Sequence, residues 1–332
     1  MACYLVTGVA GFIGAAVAAK LLAQGHDVVG LDNLTTGAPE NIPDGVRFFQ
    51  GDCQDGRMYG EVLPKEPYAA IFHIAGQSSG EISFDDPVYD LRTNAESTLR
   101  LLKFSLATGC TRFIYASTMS VYGSPATPVV DESAPAVPQS FYGVGKLASE
   151  HYLRIYENYG IRSTALRLFN VYGEGQNMAN MRQGMVSIYL AMLVRDGHIH
   201  VKGSPDRFRD FVYIHDVVTA FLACLDHPES IGKCLNIGGS GRVHVHELVD
   251  KLCALAPGGA TVEYSGSTAG DVFGIAADGS LAKQYLGYSP AFTLDQGLAR
   301  MYDWYVREYG KAGGKAKAGL RSDSDDAGRQ ER

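Results

Sequence analysis

The chain carries a tyrosine and a lysine, Tyr142 and Lys146, spaced four residues apart. Four residues make about one turn of an α-helix, so both side chains should lie on one helix face. An ammonium close to a phenol favours the phenolate and lowers a pKa that is about 10 in an unperturbed tyrosine. Such a tyrosine can exchange a proton with a substrate hydroxyl near neutral pH. The spacing alone also fits a surface tyrosine stacked on a lysine.

A glycine-rich segment near the N-terminus is the second feature with chemical meaning. Gly8, Gly11 and Gly14 lie between a predicted strand and a predicted helix, where they allow a tight turn and a close backbone approach to a pyrophosphate. Asp32 ends the next predicted strand, where a carboxylate can accept both ribose hydroxyls and would repel a 2′-phosphate. We therefore predict a dinucleotide site with NAD as the cofactor. The other residues assigned to it are Phe12, Ile13, Asn33, Asp52, Cys53, Ile74, Ala75 and Gly76.

Some residues near this site have a second interpretation. Asp52 is placed to meet the adenine end of a dinucleotide, or it is a turn carboxylate. The small residues Ala75 and Gly76 let the backbone approach the cofactor, or they pack against a helix. His73 is interpreted as a structural residue rather than as a catalytic base.

The elements that must position these residues alternate along the first half of the chain. The pattern predicts strands at residues 4–7, 27–31, 47–50, 69–74, 112–116 and 163–168, and helices at 12–24, 90–107 and around Tyr142 and Lys146. Alternation of strands and helices predicts an α/β fold of the Rossmann type, with a doubly wound parallel sheet.

The second half is organised differently after Asn170. A strand predicted at residues 209–214 returns to the sheet, and the remaining sequence predicts a smaller α/β substrate lobe at its carboxyl edge. The predicted units are a Rossmann domain at 1–170 with a return segment at about 209–236, a substrate-binding lobe at 171–208 and 237–310, and a disordered tail at 311–332.

Composition excludes several classes of protein. The 332 residues carry a net charge of −7 without a dense basic segment, which argues against a nucleic-acid partner. The six cysteines are scattered without metal-binding spacing, so no metal site is expected and free thiols in a reducing compartment are the simple interpretation. No signal peptide and no membrane-spanning segment is recognisable, so a cytoplasmic location is predicted.

Several segments, in a fixed order from Tyr4 to Trp304, resemble the extended short-chain dehydrogenase/reductase family. Within that family the chain is similar to the NAD-dependent nucleotide-sugar epimerases of the UDP-galactose 4-epimerase type. The segments that carry the resemblance are 71–76, 115–123, 140–146, 166–173 and 209–214.

The resemblance implies a catalytic set of Thr118, Tyr142 and Lys146. Thr118 is expected to hydrogen-bond the sugar O4, Tyr142 to take the proton of that hydroxyl, and Lys146 to bind the nicotinamide ribose beside Tyr142. The implied reaction inverts C4 of a nucleotide-diphosphate sugar, a UDP-hexose or UDP-N-acetylhexosamine, through a transient 4-keto sugar. NAD is expected to stay bound and to be regenerated in each turnover.

The resemblance also implies substrate contacts in the second half of the chain. Asn170 and Arg209 match residues that contact the diphosphate, and Arg207 either shares this task or is a rim arginine. Ile275 matches the position that limits the room beside the sugar C2 substituent. Thr268 departs from the family, which has a second diphosphate-binding arginine there.

Other departures bear on the choice of reaction. Met119 and Ser120 stand where the family's sugar dehydratases and decarboxylases have acidic residues, which argues for epimerisation. Gln176 and its neighbours stand where glucuronate epimerases tend to have an arginine, which disfavours glucuronate, with Arg182 as an alternative cation. A 4-keto nucleotide-sugar reductase, another net NAD(P)-dependent oxidoreductase and a non-catalytic binding module remain alternatives.

The resemblance finally implies a homodimer. The helices at residues 90–107 and 142–159 are those that the family uses for a four-helix dimer interface. Their leucines, such as Leu102 and Leu153, supply the contacts of that interface or cover the sheet.

Overall fold

The computed structural model describes residues 1–266 and 273–309. Thr268 and the predicted tail at 311–332 lie outside the described residues. Among the helices described, none combines the length and the apolar character needed to cross a membrane.

Strands and helices alternate as predicted in the first half of the chain. The strands are β1 (Cys3–Thr7), β2 (Asp27–Asp32), β3 (Arg47–Gln50), β4 (Ala70–His73), β5 (Arg112–Thr118), β6 (Val129–Val130), β7 (Arg162–Leu168), β8 (Asn170–Tyr172), β9 (His198–Lys202), β10 (Phe208–Arg209), β11 (Phe211–Tyr213), β12 (Lys233–Ile237), β13 (Val243–His244), β14 (Thr261–Ser265) and β15 (Gly274–Ala277). The helices are α1 (Phe12–Ala23), α2 (Pro87–Leu91), α3 (Ser97–Ala107), α4 (Phe141–Glu157), α5 (Met185–Asp196), α6 (Ile214–Asp226), α7 (Val245–Leu255), α8 (Ser280–Leu286) and α9 (Leu294–Tyr309).

The central sheet has seven strands in the order β12-β7-β5-β4-β1-β2-β3, and all neighbours are parallel. The chain runs outward from β1 to β3 and then crosses to β4 on the other side of β1. This reversal creates a topological switch point between β1 and β4, and open α/β sheets bind ligands at the carboxyl ends of the strands there. The predicted Rossmann-type fold is confirmed.

The two faces of the sheet bury separate cores, because successive residues of a strand point to opposite faces. Val6 and Phe72 belong to the core that α1 and α6 cover, whereas Leu5 and Ile71 belong to the core that α3 and α4 cover. Burial on both faces explains why these strands are continuous apolar runs.

The helix predicted at residues 90–107 is divided. α2 and α3 are joined by a π-helical turn at Arg92–Glu96. The sequence allowed two roles for Leu102 and Leu153, contact with a partner subunit or cover of the sheet. Both belong to the core under α3 and α4. These two leucines therefore cover the sheet.

The strand predicted at residues 209–214 does not rejoin the central sheet. It is divided into β10 and β11 on either side of Asp210, whose buried carboxylate accepts hydrogen bonds from the backbone N–H groups of Gly239, Gly241 and Ala277. β10 lies in a four-stranded sheet of order β13-β10-β15-β6, and β11 pairs with β8. The strand that does return is β12. The proposed division into a Rossmann domain and a substrate lobe stays a prediction.

Candidate active site

A cavity of about 520 Å³ opens at the carboxyl ends of the central strands. Its volume is typical of small-molecule and cofactor sites. The fold brings most of the selected residues into its lining: Gly8, Gly11, Phe12, Ile13, Gly14, Asp32, Asn33, Asp52, Cys53, Ile74, Ala75, Gly76, Thr118, Tyr142, Lys146 and Asn170.

The glycine-rich turn between β1 and α1 has no room for side chains. A Cβ atom on Gly14 would stand 2.0 Å from the carbonyl oxygen of Gly8, and one on Gly8 would stand 2.8 Å from the backbone nitrogen of Ala75. α1 begins after Gly11 without a side-chain cap and without an acidic residue in its first turn. Its first N–H groups are therefore available to an anionic group such as a pyrophosphate.

Asp32 lies beside this turn, at the end of β2. Its Oδ2 accepts a hydrogen bond from Ala10 N at 3.0 Å, and its Oδ1 accepts one from Leu34 N at 2.8 Å. The carboxylate is thus fixed, and each oxygen keeps a lone pair for a ribose hydroxyl. Asp52 accepts a hydrogen bond from Asn33 Nδ2 at 2.8 Å farther along the cavity. Free backbone donors for phosphate and a fixed carboxylate for ribose fit NAD.

His73 is enclosed behind the cofactor end. Its Nδ1 lies 2.8 Å from the Thr7 hydroxyl, and its Nε2 lies 3.2 Å from the Thr98 hydroxyl. Burial lowers its pKa to about 3, and the charge of Lys146 acts in the same direction. A neutral imidazole with a partner for each nitrogen agrees with the structural role assigned to His73.

Tyr142 and Lys146 lie one turn apart on α4 and line the cavity together. Tyr142 is 8% exposed and Lys146 is 3% exposed, so they are not the surface pair that the spacing alone allowed. The Lys146 ammonium donates a hydrogen bond to the carbonyl oxygen of Ala116 at 2.9 Å and lies 5.9 Å from the centre of the Tyr142 ring.

The pKa values of the pair differ from those expected from charge alone. Burial raises the pKa of Tyr142 to about 12; Asp90 raises it further, and a hydrogen bond with Thr118 lowers it. Burial lowers the pKa of Lys146 to about 8, and Asp90 opposes that change. The expectation of a lowered phenol pKa is therefore wrong for the protein alone, because burial and the charge of Asp90 outweigh the hydrogen bond with Thr118.

Thr118 ends β5 and faces the same part of the cavity. Its hydroxyl donates to Ser120 Oγ at 3.2 Å and accepts a hydrogen bond from Ser120 N at 3.1 Å. Met119 and Ser120 also line the cavity, and neither side chain can act as a carboxylic acid. The site thus combines a hydroxyl, a phenol and an ammonium, which can bind a substrate hydroxyl and exchange its proton.

Asn170 and Arg209 belong to the smaller sheets beside the cavity. Asn170 lines the cavity, and its amide donates a hydrogen bond to the carbonyl oxygen of Asp210 at 3.0 Å. Arg209 is buried, and its guanidinium donates to the carbonyl oxygens of Phe208 and Phe273 at 2.7 and 3.3 Å. Burial lowers the pKa of Arg209 to about 10.

The cavity lining, as far as the structure describes it, does not include Arg207, Arg209 or Ile275. Arg207 is buried and donates from Nε to the carbonyl oxygen of Ser204 at 3.1 Å. Ile275 lies opposite Arg209 in the pairing of β10 with β15 and belongs to an apolar cluster with Phe169, which does line the cavity. Their contacts with a substrate stay predictions.

Two polar loops, at residues 77–80 and 176–184, face each other across the cavity. From the sequence, Gln176, its neighbours and Arg182 were singled out in the second loop, and the rest of both loops was missed. Gln183 of the second loop donates a hydrogen bond to the carbonyl oxygen of Ser78 at 3.0 Å. Arg182 pairs with Glu81 at 3.2 Å and Asp85 at 2.8 Å, so two carboxylates already engage this alternative cation. Their polar composition was the only local signal. The loops contribute Gln77, Ser78, Gly80, Gln176, Asn177, Asn180, Gln183 and Gly184 to the lining.

Comparison with known proteins finds similar sequences over most of the chain. Residues 4–238 match the model of the NAD dependent epimerase/dehydratase family. The chain is 32% identical over 308 residues to a UDP-glucose 4-epimerase of Mycolicibacterium smegmatis, and the alignment covers 91% of this chain and 97% of that protein.

Two solved structures are similar over almost the same extent. One is the crystal structure of a UDP-glucose 4-epimerase from Thermotoga maritima with UDP-glucose, which has a TM-score of 0.88 and 32% identity and covers 92% of this chain and 99% of its own. The other is a UDP-glucose 4-epimerase from Thermus thermophilus in complex with NAD. It has a TM-score of 0.82 and 31% identity and covers 91% of this chain and 98% of its own.

Proposed function

Because the chain belongs to the NAD dependent epimerase/dehydratase family, we propose that it is an NAD-dependent 4-epimerase of a nucleotide-diphosphate sugar, either a UDP-hexose or a UDP-N-acetylhexosamine. One observation carries this proposal: Thr118, Tyr142 and Lys146 line the same cavity as the turn that fits NAD. Met119 and Ser120 supply no acid for dehydration. UDP-glucose is the first substrate to test, since the similar proteins are UDP-glucose 4-epimerases.

Tyr142 is the base of the proposed reaction. It takes the proton of the sugar C4 hydroxyl while Thr118 hydrogen-bonds the same oxygen. When bound, NAD⁺ supplies a reversible acceptor for the hydrogen and electron pair of the C4–H bond. With a pKa of about 8, Lys146 is protonated at neutral pH and supplies positive charge that favours the phenolate. The resulting 4-keto sugar turns to present its other face. C4 would then regain its hydrogen and electron pair on that face, and Tyr142 would return the proton to O4.

A net oxidoreductase is the second candidate. A 4-keto nucleotide-sugar reductase would use the same three side chains. They differ in stoichiometry, because a reductase consumes one NAD(P)H for each product molecule and an epimerase consumes none.

The substrate is tested by incubating the purified protein with UDP-glucose, UDP-N-acetylglucosamine and UDP-glucuronate separately, without added cofactor. Anomeric proton NMR should show the C4 epimer of at least one of the first two. Turnover that requires stoichiometric NAD(P)H would support the reductase instead.

The role of Tyr142 is tested with Tyr142→Phe. Loss of a general base is expected to reduce the rate by about 10²- to 10⁴-fold. Tyr152→Phe, on the same helix and away from the described cavity lining, should retain normal activity. Full activity of Tyr142→Phe would contradict the mechanism.

The assignments at the substrate end are part of this proposal. Asn170, Arg209 and Arg207 are proposed to hold the diphosphate, and Ile275 to limit the room beside C2. The position of Asn170 in the cavity and the pairing of Arg209 with Ile275 support them. The cations would have to exchange backbone carbonyls for phosphate oxygens, which a guanidinium binds more strongly.

We also propose a cytoplasmic homodimer. Free cysteines support the compartment. A patch of five apolar side chains on α2, on α4 and on the turn before α2 supports the dimer. Each of these side chains is between 46% and 58% exposed, and exposed apolar patches mark protein interfaces. Val144→Asp should give a monomer in sedimentation experiments, whereas Val137→Asp, outside the patch, should not. The patch consists of Phe84, Val88, Leu91, Phe141 and Val144.

A further inference from the structure

A carboxylate that the proposed mechanism does not use is buried close to the catalytic pair. Asp90, in α2, is 1% exposed. Its Oδ2 accepts hydrogen bonds from Gln77 Nε2 at 2.8 Å and from Asn94 Nδ2 at 3.2 Å. No hydrogen-bond partner for Oδ1 is found in the part of the chain that the structure describes. A buried carboxylate with an unpaired oxygen destabilises the fold unless an opposite charge compensates it.

The packing of α2 against α4 brings that opposite charge near. A Cβ atom on Gly145 would stand 3.5 Å from Asp90 Oδ1 and 3.1 Å from Asn94 Cβ, so the glycine keeps the two helices close. A Cβ atom on Gly76 would stand 2.4 Å from Asn94 Oδ1 and 3.3 Å from Lys146 Nζ. The Asn94 side chain, which holds Asp90, therefore borders the space that the ammonium occupies.

We propose that Asp90 is a positioning residue for this reaction: its carboxylate, held by Gln77 and Asn94, supplies the negative charge that keeps Lys146 in its ammonium form beside Tyr142. This role rests on the proposed function and goes beyond it, since it adds a carboxylate to the hydroxyl, phenol and ammonium of the catalytic set.

The titratable groups around Lys146 support the proposed role of Asp90. Asp90 acts on Lys146 and Tyr142 from α2, and its charge raises the pKa of both. Burial raises the pKa of Asp90 itself, and the charge of Lys146 opposes that change. Lys146 also faces His73 and Tyr115. Burial keeps the imidazole neutral and raises the pKa of the Tyr115 phenol, so neither group replaces the carboxylate.

Removal of this charge has a direction that can be tested. In Asp90→Asn, Lys146 should lose its proton at lower pH and Tyr142 should ionise at lower pH. Both limbs of the pH–rate profile should therefore move to lower pH, by about one unit, the lower end of the usual effect of a neighbouring charge. A side chain that served only packing would lower the rate at every pH without moving the limbs.

The first experiment measures kcat and kcat/KM for UDP-glucose against pH with the NAD-loaded enzyme. Asp90→Glu keeps the charge, so its limbs should stay near those of the native enzyme. Asp86→Asn is the matched control, because it removes an exposed carboxylate at the N-cap of the same helix, where asparagine caps equally well. Unmoved limbs in Asp90→Asn, or an equal movement in Asp86→Asn, would overturn the proposal.

The second experiment does not depend on activity. NMR of protein labelled with ¹³C at lysine Cε follows the titration of Lys146, whose resonance is identified by its loss in Lys146→Arg. The midpoint should fall in Asp90→Asn and stay unchanged in Asp86→Asn; equal midpoints in Asp90→Asn and the native protein would refute the role. If the native protein epimerises no UDP-sugar while the midpoint still falls, the proposed function fails and the charge pairing stands. If Asp90→Asn does not fold, the same shift is expected in Asp90→Ser.

Discussion

The two ends of the cavity are built from different parts of the polypeptide. At the cofactor end the lining is largely backbone, with Gly8 and Gly14 at the start of α1 and the fixed carboxylate of Asp32 at the end of β2. At the opposite end, which we propose to hold the substrate and call the substrate end, the lining includes long polar side chains such as Gln77 and Gln183, which come from two separate loops.

This difference predicts unequal tolerance to substitution. At the cofactor end, a Cβ atom added to Gly14 would stand 2.0 Å from a backbone carbonyl oxygen, and no rotation of a side chain can relieve such a contact. The loops meet through Arg182, which is 47% exposed, and exposed ion pairs contribute only about 0–1 kcal/mol. Substitutions of similar size should therefore be severe at one end and mild at the other.

The largest effect is expected for Gly14→Ala. The added methyl group must displace the turn between β1 and α1, so the purified protein should contain no NAD and its epimerase activity should fall to background. NAD released by denaturation can be quantified by chromatography. Gly60→Ala is the control, since its Cβ would meet no atom within 4 Å. Normal NAD content in Gly14→Ala would remove the contrast between the two ends.

The next effect concerns the buried ion pair behind the catalytic helix. Glu150 of α4 pairs with Arg167 of β7 at 2.7 Å and accepts a hydrogen bond from Ser117. Glu150→Gln leaves a buried guanidinium without its counter-charge, so unfolding in urea should show a loss of about 3–5 kcal/mol. Glu96→Gln, which breaks the half-exposed pair with Arg100, should cost less than about 1 kcal/mol. A small loss of unfolding free energy in Glu150→Gln would mean that the rigid part of the site does not extend beyond the glycine turn.

The same contrast explains what the sequence could predict. Residues of the cofactor end follow the ends of β1, β2 and β4, and a parallel sheet brings those ends to one edge. Local patterns at Gly8, Asp32 and Gly76 therefore sufficed to assemble this end. The Tyr142 and Lys146 pair was also found from spacing, because a helix converts a separation of four residues into proximity.

What the sequence could not predict depends on contacts between distant segments. The break of the strand at 209–214 follows from hydrogen bonds that Asp210 accepts from three later residues. The raised pKa of Tyr142 follows from burial, which spacing does not report. Asp90 escaped selection because a single acidic residue in a helical pattern gives no sign that it is enclosed.

The smallest effect is expected for Arg182→Ala at the substrate end. Loss of its contacts with Glu81 and Asp85 should lower the unfolding free energy by less than about 1 kcal/mol, because all three side chains are solvated. A looser pair of loops should raise KM for the UDP-sugar by roughly two- to fivefold and leave kcat unchanged, which corresponds to the same free energy. Arg57→Ala removes a more exposed arginine, paired with Asp55 outside the described cavity lining, and should change neither constant. If Arg182→Ala lost kcat as completely as Gly14→Ala, the loops would be as rigid as the glycine turn. Only in a rigid site would the loss of one surface contact displace the substrate carbon that reacts.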